Sequence, residues 1–503
     1  MTHEFVKKQL DISAPLILDL NLVAIDLDPA WNFSTGETWS QLQLPRVAFS
    51  ALQVPSNCPR QVVAYRRILA CSRGEKEEGT GRTAKRRNKL SQSGLAKMGK
   101  RLSVAVQGFH PSSFLSEETA RLRELAQDKK VISAVSGGVD STVATLVARE
   151  ALGDKLLPIM MDTGFLRAGE PESVKERLAK SPTSLKLRLI HASGRFLSSV
   201  KGETTAEEKR KKFRETFYQV LKEEAEKEDC EYILQGTIAP DWIETQGGIK
   251  TQHNILEQVG IDPSTTYGFK IIEPLADLYK DQVRALGRHL NLPSELSERQ
   301  PFPGPGLLVR CIGNVTKEKV RVLKEATRIV ETALAPFNYE QYFSAVIENR
   351  FAREPSTKTL SGAAGDALGL PKSEIQAEVF EDRVTGVKGD QRCYGLLAGV
   401  KLSEESRETY GWLQDRLRLL QAGLVERFPD VTRVALLVKE RRGGGPFSMI
   451  VRAVSTRDFM TAAVSPAPWK ILKDIAQEIL KGEDVSRVYY DITPKPPGTI
   501  EFE

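Results

Sequence analysis

The stretch that decides the fold is Val131-Ile132-Ser133-Ala134-Val135-Ser136-Gly137-Gly138-Val139-Asp140-Ser141-Thr142-Val143-Ala144. Val131 to Val135 is short, apolar and β-branched, the pattern of a strand buried on both faces of a parallel sheet. From Thr142 to Glu150 apolar residues return at helical spacing. A glycine turn between strand and helix aims main-chain N–H groups, and the positive end of the helix dipole, at one point where an anion can sit. Gly137 and Gly138 carry no Cβ, so the backbone can turn tightly and approach a phosphate closely. Ser136 and Ser141 add hydroxyl donors. An ordinary strand-to-helix turn would also use glycine. The run is neither GxxxxGK[ST] nor GxGxxG, so two common phosphate loops are excluded.

Working outward, Ser116-Glu117-Glu118-Thr119 reads as a capped helix start with an acidic first turn. Leu156 to Met161, Leu185 to Ile190 and Tyr232 to Leu234 read as further strands, with helical segments between them, notably Ala206 to Lys227. Strands alternating with helices predict an α/β domain with a doubly wound parallel sheet. Ligands of such sheets lie beyond the carboxyl ends of the strands. Ser136, Asp162 and Gly236 each follow a strand end, so one site can collect them.

After about Asn291 the character changes. Pro301-Phe302-Pro303-Gly304-Pro305-Gly306 fits neither a helix nor a central strand and reads as a domain boundary. Beyond it, strands over Leu396 to Leu402, Val434 to Val438, Ser448 to Val454 and Val488 to Asp491 mix with helices over Lys317 to Leu334, Arg407 to Arg427 and Pro468 to Leu480, an α+β domain. At the other end, Leu16 to Leu27 is an apolar stretch of undecided structure. Residues 72–101 are charged, glycine-bearing and poor in large apolar groups, as a linker or disordered arm is. Three regions are expected: an N-terminal extension over 1–101, an α/β domain over 102–298, and a C-terminal domain over 299–503 with an insertion near 403–447. Met98 is a candidate natural start, because the readable pattern lies after it.

Composition sets bounds. The 503 residues suffice for two or three cored domains, and 40% hydrophobic with 27% charged residues is ordinary for a globular protein. A net charge of +6 suits anionic ligands such as nucleotides but is too small over this length to argue for nucleic acid. Lys85-Arg86-Arg87 reads first as a solvated tail. The five cysteines (Cys58, Cys71, Cys230, Cys311, Cys393) form no CxxC pair, which argues against a zinc site or disulfide framework and for a reducing, cytoplasmic setting. No apolar run approaches the ~18 residues of a membrane span, and the first residues lack a signal-peptide pattern.

Three stretches carry candidate chemistry. Asp140, Asp162, Asp241 and Glu244 stand at or near strand ends and offer hard oxygen ligands for the Mg²⁺ that accompanies ATP. Which of them binds it the sequence leaves open; Asp140 is the residue singled out. Residues 236–254, with Gly236, Asp241, Glu244, Lys250 and His253, make a poor core element and suit a lid over phosphates. His253 alone would read as a plain loop histidine. In the third, Asp277, Lys280, Asp281 and Arg284 fall at three-and-four spacing, on one face of a helix. A salt-bridged surface helix explains that spacing as well as a nucleotide contact does.

SGGVDS resembles the SGGxDS loop of ATP pyrophosphatases, which split ATP between its α and β phosphates. With the two later stretches, and with RQPFPGPGLLVRCIG (Arg299 to Gly313), TGVKGDQRCY (Thr385 to Tyr394), RAVSTRDFMTA (Arg452 to Ala462) and the tail SRVYYDITPKPPGTIEFE, the chain resembles the glutamine-hydrolysing GMP synthases over roughly 109–503. The resemblance implies an adenine-nucleotide α-hydrolase-like fold, the PP-loop fold, and a ligase of purine biosynthesis. In that reaction the C2 oxygen of xanthosine 5′-monophosphate (XMP) attacks the α-phosphorus of ATP, pyrophosphate leaves, and ammonia displaces AMP at C2 to give GMP. The chemistry needs phosphate clamps and Mg²⁺ more than a protein nucleophile.

By match, Ser136, Gly137, Gly138, Val139, Asp140, Ser141 and Gly236 belong to the ATP site, with Asp162 and Gly164 by the nucleoside. Asp241, Glu244, Lys250, His253, Lys280 and Asp281 form the catalytic set. Arg299, Arg310, Gln391, Arg392, Lys495, Thr499, Ile500 and Glu501 fall where the purine monophosphate is gripped. The chain departs from the family at Ala239 (usually tyrosine), Gln252 and Gln300 (usually histidine). The insertion between Leu402 and Arg452 departs from the bacterial dimer interface, so a homodimer is one assembly among several that the resemblance admits.

A class I glutaminase needs a cysteine on a GxCxG-type elbow, a histidine and a glutamate. Cys58 sits in SNCPRQ and Cys71 in ACSRG, neither an elbow, and His3 is the only histidine before residue 110. The chain therefore resembles the ATP pyrophosphatase subunit of two-subunit archaeal enzymes, with a separate glutamine amidotransferase, or free ammonia, supplying nitrogen. Two other readings remain: an adenylating PP-loop enzyme acting on tRNA, and a nucleotide-binding regulatory paralogue. The KPPGTIE tail weighs against the first, intact SGGVDS and Lys250 against the second.

Overall fold

The structure, a computed structural model, describes residues 109–503 except 181, 242–266, 298–299, 301, 353–355, 389–390, 411–413, 457–460 and 500. The N-terminal extension, its charged arm and Met98 lie outside the described residues. Those described group into two compact units: one of residues 109–116, 238–241 and 275–282, the other of the remainder.

The larger unit contains a parallel five-stranded sheet of β1 (Lys130–Ala134), β2 (Leu156–Asp162), β3 (Arg188–His191), β4 (Cys230–Leu234) and β5 (Lys270–Ile272), in the order β3-β2-β1-β4-β5. Val131 and Ile132 of β1 are fully buried, because strands flank it on both sides. Helices α1 (Pro111–Ala126), α2 (Val139–Leu152), α3 (Glu170–Ala179), α4 (Ser193–Ser199) and α5 (Ala206–Lys227) alternate with these strands. The chain leaves β1 toward β2 and β3 on one side and returns to β4 and β5 on the other. The reversal puts the topological switch point at the carboxyl ends of β1 and β4, where open α/β sheets bind ligands.

After α6 (Lys280–His289) and the one-turn α7 (Ser294–Ser297) comes a 3₁₀ turn, Gly306–Arg310, which begins the C-terminal half. Its elements are α8 (Lys317–Leu334), β6 (Gln341–Glu348), α9 (Ser356–Leu368), β7 (Ile375–Lys388), β8 (Gln391–Leu402), α10 (Glu404–Tyr410), α11 (Gln414–Arg427), β9 (Val431–Glu440), β10 (Phe447–Ser455), β11 (Ala463–Val464), α12 (Trp469–Ile479) and β12 (Val485–Asp491). The strands form one mixed sheet ordered β11-β10-β12-β9-β8-β7, with β6 antiparallel to β10.

Several expectations need correction. The first helix starts at Pro111, five residues before the proposed cap at Ser116, since proline is favoured in the first turn, where its missing N–H costs nothing. The third strand begins at Arg188 and leaves Leu185 to Leu187 outside it. The helix expected over Arg407 to Arg427 is described as α10, which begins earlier at Glu404, and α11, with residues 411–413 between them outside the described residues. Asp277 precedes α6 and so does not share a helical face with Lys280 and Asp281. The proline-glycine stretch docks rather than merely separating domains: Leu307 N–H donates to Phe165 O at 2.7 Å. Gly306, at φ +63°, lies so close that a Cβ would stand 2.3 Å from that oxygen.

Candidate active site

The phosphate loop is preformed by its own hydroxyls. Ser141 Oγ lies 2.9 Å from Ser136 Oγ and accepts from Ser136 N–H at 3.0 Å. Gly138 N–H donates to Ser136 Oγ at 3.3 Å, and Thr142 Oγ1 donates to Gly138 O at 2.7 Å. Below the loop, Ser133 and Thr145 tie β1 to α2 through hydroxyls 2.7 Å apart. Gly137 sits at φ +80°, where an L side chain is strained. Gly138 is the N-cap of α2 and offers no capping side chain, which leaves donors of the first turn for an anion. Val139 is buried and anchors that turn, while Asp140 and Ser141 are half-buried beside it.

Three more predicted residues shape the surroundings. Asp162, the last residue of β2, accepts from Gly164 N–H through Oδ1 at 2.9 Å. Gly164, at φ +80°, passes so near Ser193 that a Cβ would stand 3.0 Å from its Cβ. Gly236, after β4, packs backbone to backbone on the phosphate loop, where a Cβ would be 2.5 Å from Ser141 N. The ends of β1 and β4 thus meet at the switch point.

The described residues contain no cluster of three side chains suited to a metal. Asp140, half-buried in the first turn of α2, offers one carboxylate, a ligand that suits an Mg²⁺ carried mainly by nucleotide phosphates rather than a protein cage.

Within the smaller unit, Asp241 accepts from Ile238 N–H through Oδ2 at 3.0 Å. Ala239 N–H bonds to Leu278 O at 2.9 Å, so the run of residues bearing Asp241 is tied to the chain two residues before Lys280 and three before Asp281. Glu244, Lys250, His253, Arg299 and Ile500 lie outside the described residues, as does the side chain of Gln391.

In the C-terminal half, the separated sequence motifs converge on the tail. Arg310, 1% exposed, forms a two-pronged pair with Glu501, Nε to Oε2 at 3.0 Å and Nη2 to Oε1 at 3.1 Å. Gln341 donates to the same carboxylate at 3.3 Å. Arg310 Nη1 and Gln341 Oε1 are buried without partners among the described residues, one donor and one acceptor beside Glu501. Lys495 pairs in both directions with the backbone of Ala462, at 2.8 and 3.0 Å. It also borders a cleft of about 780 Å³ with Arg418, Ser455 and Thr461 in its walls. Thr385 N–H bonds to Phe502 O at 2.8 Å. Arg392 pairs with Glu207 of α5 at 3.0 Å, and Tyr394 donates to the same carboxylate at 2.7 Å.

Thr499 is held by two arginines, neither of which the sequence analysis placed in the site, although Arg452 opens one of the motifs it quoted. Arg433 and Arg452, both fully buried, converge on Asp491 Oδ2 at 2.9 and 2.6 Å. Both also donate to Thr499 O, at 3.0 and 3.2 Å, and Arg433 reaches Thr499 Oγ1 at 2.7 Å. Burial pulls Arg433 down to about 10 against the opposing pull of Asp491, so it stays charged at neutral pH. Its signal was an arginine inside the apolar run VTRVALLV, since buried cations occur only where they are paired.

Cys230 and Cys311 are free thiols that burial pushes up to about 11, the opposite of an activated nucleophile. Cys58 and Cys71 lie outside the described residues. No described helix is long and apolar enough to cross a membrane.

A glycine loop at the switch point of a parallel sheet places this chain among the PP-loop proteins, and the family profile described as "PP-loop domain" matches residues 111–293. A second, described as "GMP synthase C terminal domain", matches residues 428–502. The second of the named subunits of glutamine-hydrolyzing GMP synthase from Sulfurisphaera tokodaii is 45% identical over 395 residues, covering 78% of this chain and 100% of that protein. The same subunit from Saccharolobus solfataricus is 46% identical over 396 residues with the same coverage, and that from Archaeoglobus fulgidus 39% over 392 residues, or 98% of its length. The chain belongs to the family of these GMP synthase subunits.

Proposed function

We propose that this protein catalyses ATP-dependent amination of XMP to GMP, releasing AMP and pyrophosphate. The observation that carries the reading is the preformed SGGVDS loop at the switch point, in a chain that aligns along the whole length of GMP synthase subunits. Residues 102–298 act as the ATP pyrophosphatase part and 299–503 as the part that grips the purine monophosphate. Ser136 to Ser141, Asp162, Gly164 and Gly236 take ATP. Asp241, Glu244, Lys250, His253, Lys280 and Asp281 serve catalysis. Arg299, Arg310, Gln391, Arg392, Lys495, Thr499, Ile500 and Glu501 hold the nucleotide substrate. Asp140 would help hold the Mg²⁺ that accompanies ATP, and the ion would supply neutralisation of phosphate charge there.

The nitrogen comes from a separate glutaminase subunit, in a cytoplasmic setting. The relatives are each named as one subunit of a glutamine-hydrolyzing enzyme, which supports that division, as do the buried, unactivated thiols of Cys230 and Cys311.

The test is GMP formation by the purified chain with XMP, ATP and Mg²⁺, supplied with ammonium in one arm and glutamine in the other. Activity with ammonium and none with glutamine is expected. Pyrophosphate release that ignores XMP would overturn the substrate assignment, and full activity with glutamine would overturn the division of labour.

A further inference from the structure

A continuous set of contacts runs from the phosphate loop to the tail. A Cβ on Gly137 would lie 4.0 Å from Glu170 Oε1, so Glu170 sets a carboxylate beside the loop. Arg167 answers it, with its N–H on Oε2 at 3.0 Å and Nη1 on Oε1 at 3.3 Å. The same guanidinium donates through Nε to both oxygens of Glu331 at 2.8 Å. Gln300 donates to Glu331 Oε1 at 3.1 Å and accepts from Tyr342 N–H at 3.0 Å. Tyr342 follows Gln341, which donates to Glu501 beside Arg310. Phe302 lies between the halves, 4.0 Å from Arg167 Cζ and 5.1 Å from Arg310 Cζ.

We propose that Arg167, Glu331 and Gln300 are positioning residues that fix the separation between the loop that takes ATP and the tail that presents the purine. The inference rests on the function proposed above. In-line attack requires the α-phosphorus and the purine oxygen to meet within about 3–3.5 Å, and small misplacements are costly. Arg167 and Glu331 are only 13% and 20% exposed, so their charge-assisted bonds are shielded from water and stiff. Arg167 and Glu331 join the two halves, and Gln300 braces that joint, because its amide donates to Glu331 through its NH2 group and accepts from Tyr342 N–H through its oxygen. An imidazole can do the same, and a leucine of similar size cannot.

The experiment compares Gln300→Leu, Gln300→His and Glu331→Gln with the unaltered protein. It measures GMP formation with ammonium, and the separate equilibrium affinities for ATP and for XMP by calorimetry. Gln300→Leu is expected to lower kcat about 10- to 100-fold while each separate affinity holds within about twofold. Gln300→His is expected to restore most of the loss, and Glu331→Gln to follow Gln300→Leu, which keeps the test open if one variant folds poorly. An unchanged kcat in folded Gln300→Leu overturns the inference. So does a fall in substrate affinity that accounts for the lost rate, or a Gln300→His variant as poor as the leucine. An inactive unaltered protein defeats the functional reading itself, whereas an active one with indifferent variants defeats this inference alone.

Discussion

The main-chain nitrogen of Ser141 lies 2.5 Å from where a Cβ would stand on Gly236. The turn after β4 therefore rests directly on the first turn of α2, and the phosphate loop cannot keep its shape if that turn is pushed away. Gly236→Ala is expected to destabilise the protein by about 1–3 kcal/mol, the usual cost of overpacking. Chemical denaturation measures that cost, and calorimetric titration should show weaker ATP binding. An alanine variant with unchanged stability and ATP affinity contradicts the close approach.

Glu207 predicts a pH dependence. Burial works to raise its pKa, but the Tyr394 hydroxyl and the guanidinium groups of Arg210 and Arg392 outweigh it, leaving the carboxyl below its ordinary 4.5. A lowered carboxyl binds fewer protons when folded, so its stabilisation is present above pH 4.5 and lost as the pH falls through the folded value. Glu207→Gln is expected to be less stable than the unaltered protein at neutral pH. The gap should narrow as denaturation curves are taken below pH 4.5. A gap that is constant with pH contradicts the pairing.

Lys209 and Glu503 form an ion pair that is 0% and 2% exposed and joins α5 to the end of the tail. Lys209 also donates to Cys311 O at 2.7 Å, and Gly313 N–H donates to Glu503 at 3.0 Å. Burial still raises the Glu503 carboxyl, with Lys209 offsetting part of that. Removing one partner strands the other, so Lys209→Met is expected to cost about 3–5 kcal/mol, and adding Glu503→Gln should recover part of it. Equilibrium denaturation of the single and double variants decides the matter, and strict additivity of the two losses would refute the coupling.

Glu501 carries both donors that Arg310 presents to it. Glu501→Gln leaves a buried guanidinium short of its anion, a loss of about 1.5–3 kcal/mol, or roughly 10- to 150-fold. That loss is expected in kcat/KM for XMP, with KM for ATP little changed. An ATP-specific defect would place Glu501 on the wrong substrate.

Much of this arrangement is local enough to be read from the chain. α5 and α8 have the bounds that periodicity predicts, and Thr316 caps α8 by accepting from Lys319 N–H at 3.1 Å. The phosphate loop is legible because it depends on consecutive residues. β5 is three residues long and exists through its pairing with β4, so it leaves no periodic trace. β7 carries charges and glycine along its length, and its register with β8 shifts between Val379 and Arg383, which blurs any alternation. The Arg433–Asp491–Arg452 cluster and the Gln300 brace escape for another reason: their meaning lies in partners far apart in sequence. Pro301 to Gly306 shows both sides, since its proline content marks a break while its docking on Phe165 is tertiary.

In the proposed reaction the C2 oxygen of XMP attacks the α-phosphorus of ATP held in the SGGVDS loop. Turnover of XMP labelled with oxygen-18 at C2, followed by mass spectrometry of the products, tests it directly. One labelled oxygen in the phosphate of AMP and none in pyrophosphate is expected. Unlabelled AMP, with the label in pyrophosphate or in water, would contradict it.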